Sequence, residues 1–197
     1  MARTVDPQRH EARRLQIIDA ALTVIAQRGY EKATTAAICR EAHIGSGTFF
    51  HYFPTKTDLL LAILALGTAE VNGLAERLRD LDDPLVAIEE IVDQAIADAA
   101  DSRTGGFVFA VAAMMHESRI IAALQADEQV HRDLLTHWLT RAQASGQVRA
   151  DLSADRLASW VRLLLDGFLE RIATEEEFTA DREGAVLRET VRGFLRG

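Results

Sequence analysis

Apolar residues recur at spacings of three and four along almost the whole of this chain, while the β-branched alternation that marks strands is lacking and only three prolines interrupt the pattern. Such a period lines up one continuous apolar face on a helix and scatters it over both faces of a strand, so the chain is confined to an all-α fold. With 197 residues and 48% hydrophobic composition it can bury a sizeable core. The longest apolar run, Leu59 to Leu66, falls far short of the roughly 20 residues that cross a bilayer. No basic-then-apolar leader opens the sequence, and the single cysteine, Cys39, excludes an internal disulfide. A cytoplasmic protein with no membrane partner is expected.

The helix boundaries can be read individually. A first helix starts near Gln8 to Arg13, places Leu15, Ile18, Ala21, Leu22 and Ile25 on one face, and stops at Gly29. A short second helix follows Thr34 or Thr35 as N-cap, with Ile38 and Ala42 inward, and His43-Ile44-Gly45 breaks it. Gly45 or Ser46 opens a third helix that Pro54 must end, since proline lacks the N–H and clashes with the preceding turn. Thr55-Lys56-Thr57-Asp58 resembles a capping box at the head of a long fourth helix running through Leu78. Beyond it, Asp83-Pro84 starts a helix to about Ala100, Thr104-Gly105-Gly106 breaks the chain before Phe107 to His116, Ser118 to Ser145 gives one or two helices, and Ser153 to Thr174 and Arg182 to Leu195 give two more.

The stretch "GSGTFFHYFPTKTDLL" places Phe49, Phe50, His51, Tyr52 and Phe53 consecutively on the third helix. Consecutive residues point all round a helix, so some of these rings face outward. Phe49 and Phe53 suit a core plug; Phe50 and Tyr52 are left for solvent or a partner. Three short helices and a long one, with a tight break between the second and third, form the layout of a helix-turn-helix reader. Small residues, Cys39 and Ala42, suit the crossing. Charge is polarised in the same sense. Residues 1–60 hold 8 basic and 6 acidic side chains, or +2, and the total of -8 leaves -10 on the remainder. A mildly basic head on an acidic body suits a head that meets a polyanion.

The segment "TTAAICREAHIGSGTFFHYFPTKTDLL", within residues 11–64, closely resembles the DNA-binding domain of TetR-family (tetracycline-repressor-like) transcriptional regulators. The resemblance implies an all-α protein with a helix-turn-helix head, 1–56, joined to a helical effector-binding and dimerisation body, 57–197. It further implies a homodimer that binds palindromic double-stranded DNA as a repressor and releases it when a small apolar effector enters the body. By the same resemblance, Thr35 and Thr48 contact phosphates or base edges, Tyr52 and Lys56 contact phosphates, and Ser46, Gly47 and Phe50 face the major groove. Three positions depart from the family pattern: His43 where glycine is usual, Gly45 where serine or threonine is common, and Phe50 where tyrosine is common. His is among the few residues enriched at positive φ.

The third helix contains no Arg, Lys, Asn or Gln, the side chains that read guanine and adenine bidentately. Readout should therefore rest on the Gly47 backbone, the Thr48 hydroxyl and contact of Phe50 with thymine methyls, with Arg13, Arg14, Tyr52 and Lys56 anchoring phosphates. Arg3 and Arg9 would form an arm to the minor groove.

In the body, Phe107, Phe109, Met114, Met115 and His116 cluster in sequence, and Trp138 and Trp160 come from later helices; together they are the expected effector pocket, with an ordinary core as the plainer reading. Trp160, Leu164, Phe168, Ile172, Leu187, Val191 and Phe194 form the expected dimer interface. His131 and His137 lie six residues apart, on different faces of a helix, so no metal site is expected. No hydrolase or phosphate-cradling motif occurs, and neither enzyme activity nor a cofactor is expected. Two rival readings remain: a helical small-molecule carrier or enzyme without DNA binding, and a constitutive DNA-binding protein with no effector.

Overall fold

A computed structural model describes residues 6–197, which form helices and, among those residues, no strand. In chain order they are α1 Pro7–Lys32, α2 Thr35–Glu41, α3 Ser46–Tyr52, α4 Lys56–Leu78, α5 Pro84–Ala99, α6 Thr104–Ala113, α7 Ser118–Ala144, α8 Ala154–Thr174 and α9 Ala180–Arg196.

Side-chain caps fix most of the starts. Asp6, Thr34, Thr55, Asp83, Glu117 and Ser153 each accept a hydrogen bond from a backbone N–H in the first turn of the helix they precede, which satisfies a donor that has no intrahelical partner. The ends are equally local. Gly29 takes φ 74 and ψ 160, breaking the helical path of α1 although residues 30–32 regain helical hydrogen bonding. At the end of α2 the Ile44 amide donates to the Cys39 carbonyl and the His43 amide to that of Arg40, with His43 at φ 51. These two bonds make a Schellman motif with histidine where glycine is usual.

Two apolar cores result. One gathers Ile17, Ile18, Ala21, Val24 and Ile25 of α1, Ile38, Phe49 and Phe53 of the reader, and Leu59, Leu60 and Ile63 from the first half of α4. The other holds Leu74 and Leu78 from the far end of α4 with residues of α5, α7, α8 and α9, around a buried Trp138. Helix α4 therefore runs from one core into the other. It is also the one described helix long and apolar enough to cross a membrane, yet its buried apolar side chains are divided between these two cores and it packs on α7 and α1.

The first core does not stop at the head. Ala110 and Met114 at the α6 end and Ile120 of α7 belong to it, so the boundary between 56 and 57 marks the start of α4 rather than a gap in packing. The glycine pair Gly105-Gly106 does not break the chain as its sequence suggests. Both lie inside the first turn of α6, where they permit close crossing: a Cβ on Gly105 would stand 3.3 Å from the Cα of Ala173 in α8, and one on Gly106 only 2.5 Å from the Cα of Ala26 in α1. Gly67 and Gly73 of α4 have no such role, since no backbone approaches either within 4 Å.

Candidate nucleic-acid interface

The third helix sorts its aromatics by helical geometry. Phe49 and Phe53, four residues apart, point inward and are buried, while Phe50 is 50% exposed and His51 is exposed beside it. Burying each inward ring contributes about 1.5–3 kcal/mol, so Phe49 and Phe53 hold the helix down. Ser46, Gly47 and Thr48 complete an uninterrupted exposed first turn. The Gln16 amide of α1 donates to the Ala42 carbonyl at 2.9 Å, tying α1 to the turn that orients α3. Cys39 and Ala42 are buried at the crossing, as their size predicts, and burial pushes the Cys39 thiol up, away from thiolate chemistry.

Around this face the expected phosphate contacts are placed unevenly. Thr35 stands in the first turn of α2, half-buried, while its neighbour Thr34 is the cap. Tyr52 is half-buried with its ring 4.6 Å from that of His10 in α1, and His51 lies edge-on to His10 at 6.3 Å. Arg13 donates to Gln16, and Arg14 pairs with Glu11 at 3.2 Å across one helical turn. Lys56 is more committed: its Nζ donates to the Tyr30 carbonyl at 2.7 Å and sits 3.9 Å above the Tyr30 ring. Burial lowers its pKa, against a smaller opposing effect of Glu31.

Arg9 is not part of a flexible arm. Asp6 caps α1 and Pro7 begins it, so Arg9 is helical; Arg3 lies outside the described residues. The sequence reading missed His10 and His51, two polar rings on this face. Their grouping with Tyr52 depends on α1 crossing α3, which no local pattern announces. It also passed over Arg40, exposed in the last turn of α2 with no ion-pair partner among the described residues.

The seven residues expected to line one effector pocket do not converge. Phe107 packs on the first core and Met114 is buried in it, Trp138 is buried in the second, and Phe109, Met115, His116 and Trp160 are exposed. Proximity in sequence misled here, because α6 is only 10 residues long and distributes its side chains around its whole circumference. A cleft of about 550 Å³ does open beside Phe109, between α6, the end of α8 and the start of α9.

The expected dimer residues also divide. Phe168, Leu187 and Val191 are buried in the protomer's own core, and Leu164, Ile172 and Phe194 are half-buried against it. Periodicity shows that α8 and α9 are amphipathic but not which rows α5 and α7 consume. The exposed large apolar side chains of α8 and α9 are Trp160, 48% exposed, Leu163 and Val186, and the Trp160 ring lies 6.1 Å from that of Phe194.

Across α4, α7 and α8 runs a satisfied polar network. Thr68 donates to Asp127 at 2.6 Å, His131 Nδ1 lies 3.3 Å from the same carboxylate, and Arg162 joins Glu128 to Asp166. Burial pushes the Asp127 carboxyl up, but hydrogen bonds from His131 and Thr68 outweigh it, leaving the pKa lowered.

A family profile described as "Bacterial regulatory proteins, tetR family" matches residues 17–63. The transcriptional regulator BetI of Proteus mirabilis is 32% identical, over 84% of this chain and 82% of its own. The transcriptional repressor AcnR of Corynebacterium glutamicum is 30% identical, covering 82% of each. Among solved structures, the fatty acid degradation regulator FadR from Bacillus halodurans superposes with a TM-score of 0.82 at 19% identity, over 98% of this chain and 99% of that one.

Proposed function

The chain belongs to the tetR family of bacterial regulatory proteins, and from that premise we propose that it represses transcription as a cytoplasmic homodimer that a small molecule with an apolar body releases from a palindromic operator. It is a DNA-binding transcriptional regulator and not an enzyme.

The observation that carries the reading is the exposed face of α3. A seven-residue helix that buries Phe49 and leaves Ser46, Gly47, Thr48, Phe50 and His51 outward has its stability supplied from behind and its contact surface free. Inserted in a major groove, this face offers the Gly47 backbone, the Thr48 hydroxyl and the Phe50 ring to base edges and thymine methyls. Tyr52, Thr35, Arg13 and Arg14 flank it and fix the register on phosphates. Lys56 contributes positive charge from the start of α4 while its amine is shared with the Tyr30 carbonyl.

The exposure of Trp160 and Leu163 on α8 and of Val186 on α9 supports a two-fold interface built from these two helices. Such a dimer spaces two α3 helices for successive major grooves, about 34 to 36 Å apart or a little more. Effector release follows if the ligand prefers a body conformation in which the two heads no longer fit one face of the duplex, and operator then weakens effector binding by the same factor.

The test is retardation of a palindromic fragment from upstream of the gene. A complex that forms, loses affinity steeply with added salt and weakens in Tyr52→Phe supports the reading. Failure to retard any upstream fragment at low ionic strength rejects it.

A further inference from the structure

The cleft beside Phe109 differs from another concave feature of the body, a small slot between α5 and α9 whose carboxylates, Glu89 and Asp93, are already neutralised by Arg192 and Arg188. At about 550 Å³ the cleft has the size of a small-molecule site. Its apolar lining includes Phe109, Ile172 and Phe178, and three carboxylates, Asp101, Glu176 and Asp181, complete it with no lysine or arginine. Asp101 is taken by the Arg103 guanidinium in a bidentate pair, Nε donating to Oδ1 and Nη2 to Oδ2. Glu176 and Asp181 have no cationic partner among the described residues, and the cation next in sequence, Arg182, turns to the Glu177 carbonyl instead. The exposed ring of Phe109 beside unneutralised carboxylates recognises a positive charge on an apolar body, through cation–π attraction and Coulomb steering by an acidic surface, while half-buried Phe178 adds apolar wall.

The position of the cleft matters as much as its lining. Its wall includes Ala26, Gly105, Gly106 and Ala173, the residues through which the first turn of α6 touches α1 on one side and α8 on the other, backbone to backbone. Arg103 closes the same joint, donating to Asp19 of α1 at 2.6 Å and to Asp101 of the body at 2.7 Å. Contacts this close have no slack, so an occupant that shifts α6 against α8 must carry α1 with it.

We infer that this cleft is the effector site, that it takes an organic cation with an aromatic or aliphatic body, and that occupancy lowers DNA affinity by displacing the α6–α1 joint. The inference rests on the regulator reading above and adds to it the place, the charge and the route of coupling. Glu176 and Asp181 select the charge, Phe109 and Phe178 hold the apolar body, and the glycine pair transmits the displacement to the head.

The experiment uses the full chain and two probes of the same shape and opposite charge, tetraphenylphosphonium and tetraphenylborate, titrated by calorimetry at low ionic strength and then added to the retarded DNA complex. Phosphonium is expected to bind and to weaken the DNA complex, with borate about tenfold weaker or worse. Phe109→Ala and the pair Glu176→Gln with Asp181→Asn, all exposed positions, should each reduce phosphonium affinity about tenfold while keeping the helical circular dichroism and melting temperature of the parent. The inference is overturned if the two probes bind alike, if the variants bind phosphonium as the parent does, or if bound phosphonium leaves the DNA complex intact. Failure of the unliganded protein to retard DNA would instead overturn the regulator reading on which it rests.

Discussion

A Cβ added to Gly106 would stand 2.5 Å from the Cα of Ala26, so α6 and α1 meet backbone to backbone where the body joins the DNA-reading head. No side chain fits there without moving one helix. Gly106→Ala should therefore destabilise the protein by about 1–3 kcal/mol, seen as a lower denaturant midpoint at unchanged slope. Gly67→Ala in mid-α4, with nothing within 4 Å of the new methyl, should instead stabilise by about 0.5–1 kcal/mol through helix propensity.

Two left-handed backbone positions make opposite predictions. Gly29 at φ 74 and ψ 160 occupies a region essentially closed to other residues, so Gly29→Ala should cost about 1–3 kcal/mol. His43 at φ 51 already bears a side chain in a position that glycine fills without strain. His43→Gly should raise stability by about 0.5–1 kcal/mol, and thermal melts of the two variants should move in opposite directions.

Much of this was legible in the sequence because its causes are local. Thr34, Thr55, Asp83 and Ser153 declare the helix starts, Pro54 ends α3, and the four-residue spacing of Phe49 and Phe53 separates them from Phe50. What failed depended on remote partners. A glycine pair reads as a break until Ala26 and Ala173 are known to lie against it. The apolar rows of α8 and α9 do not reveal that Phe168, Leu187 and Val191 are consumed by the protomer's own core and that Trp160 and Leu163 are left over. Nor does the sequence around Phe107 and Met114 show that those side chains belong to the core of the head.

Asp58 ties the start of α4 to α7, accepting from Arg119 at 2.7 Å and from the Thr55 hydroxyl at 2.7 Å. The hydrogen bond from Arg119, then that from Thr55, hold its pKa below the ordinary 3.8. A carboxyl depressed in the folded state contributes stability that is fully present above its unfolded value and is lost as pH falls through the folded one. Asp58→Asn should therefore be less stable than the parent at neutral pH, and the gap between their unfolding free energies should close below about pH 3.9. A gap that stays constant down to pH 2 to 3 would assign the effect to packing.

Trp160 and Leu163 of α8 and Val186 of α9 are each exposed, the Trp160 ring lies 6.1 Å from that of Phe194, and the proposed dimer would cover them. Leu163→Glu, at a position 57% exposed, should leave the protomer folded and dissociate the dimer in sedimentation velocity. The same variant should retard the palindromic fragment at least about tenfold more weakly, since each head then binds one half-site alone.

The affinity of the purified protein for a palindromic upstream fragment, measured against salt concentration and against the same fragment scrambled, tests the central claim that paired α3 helices read a duplex. The account predicts a complex of two protomers on one fragment, a steep negative dependence on salt, preference for the intact palindrome, and loss of that preference in Thr48→Ala and Phe50→Ala. Equal affinity for both fragments, or no complex at about 50 mM salt, would contradict it.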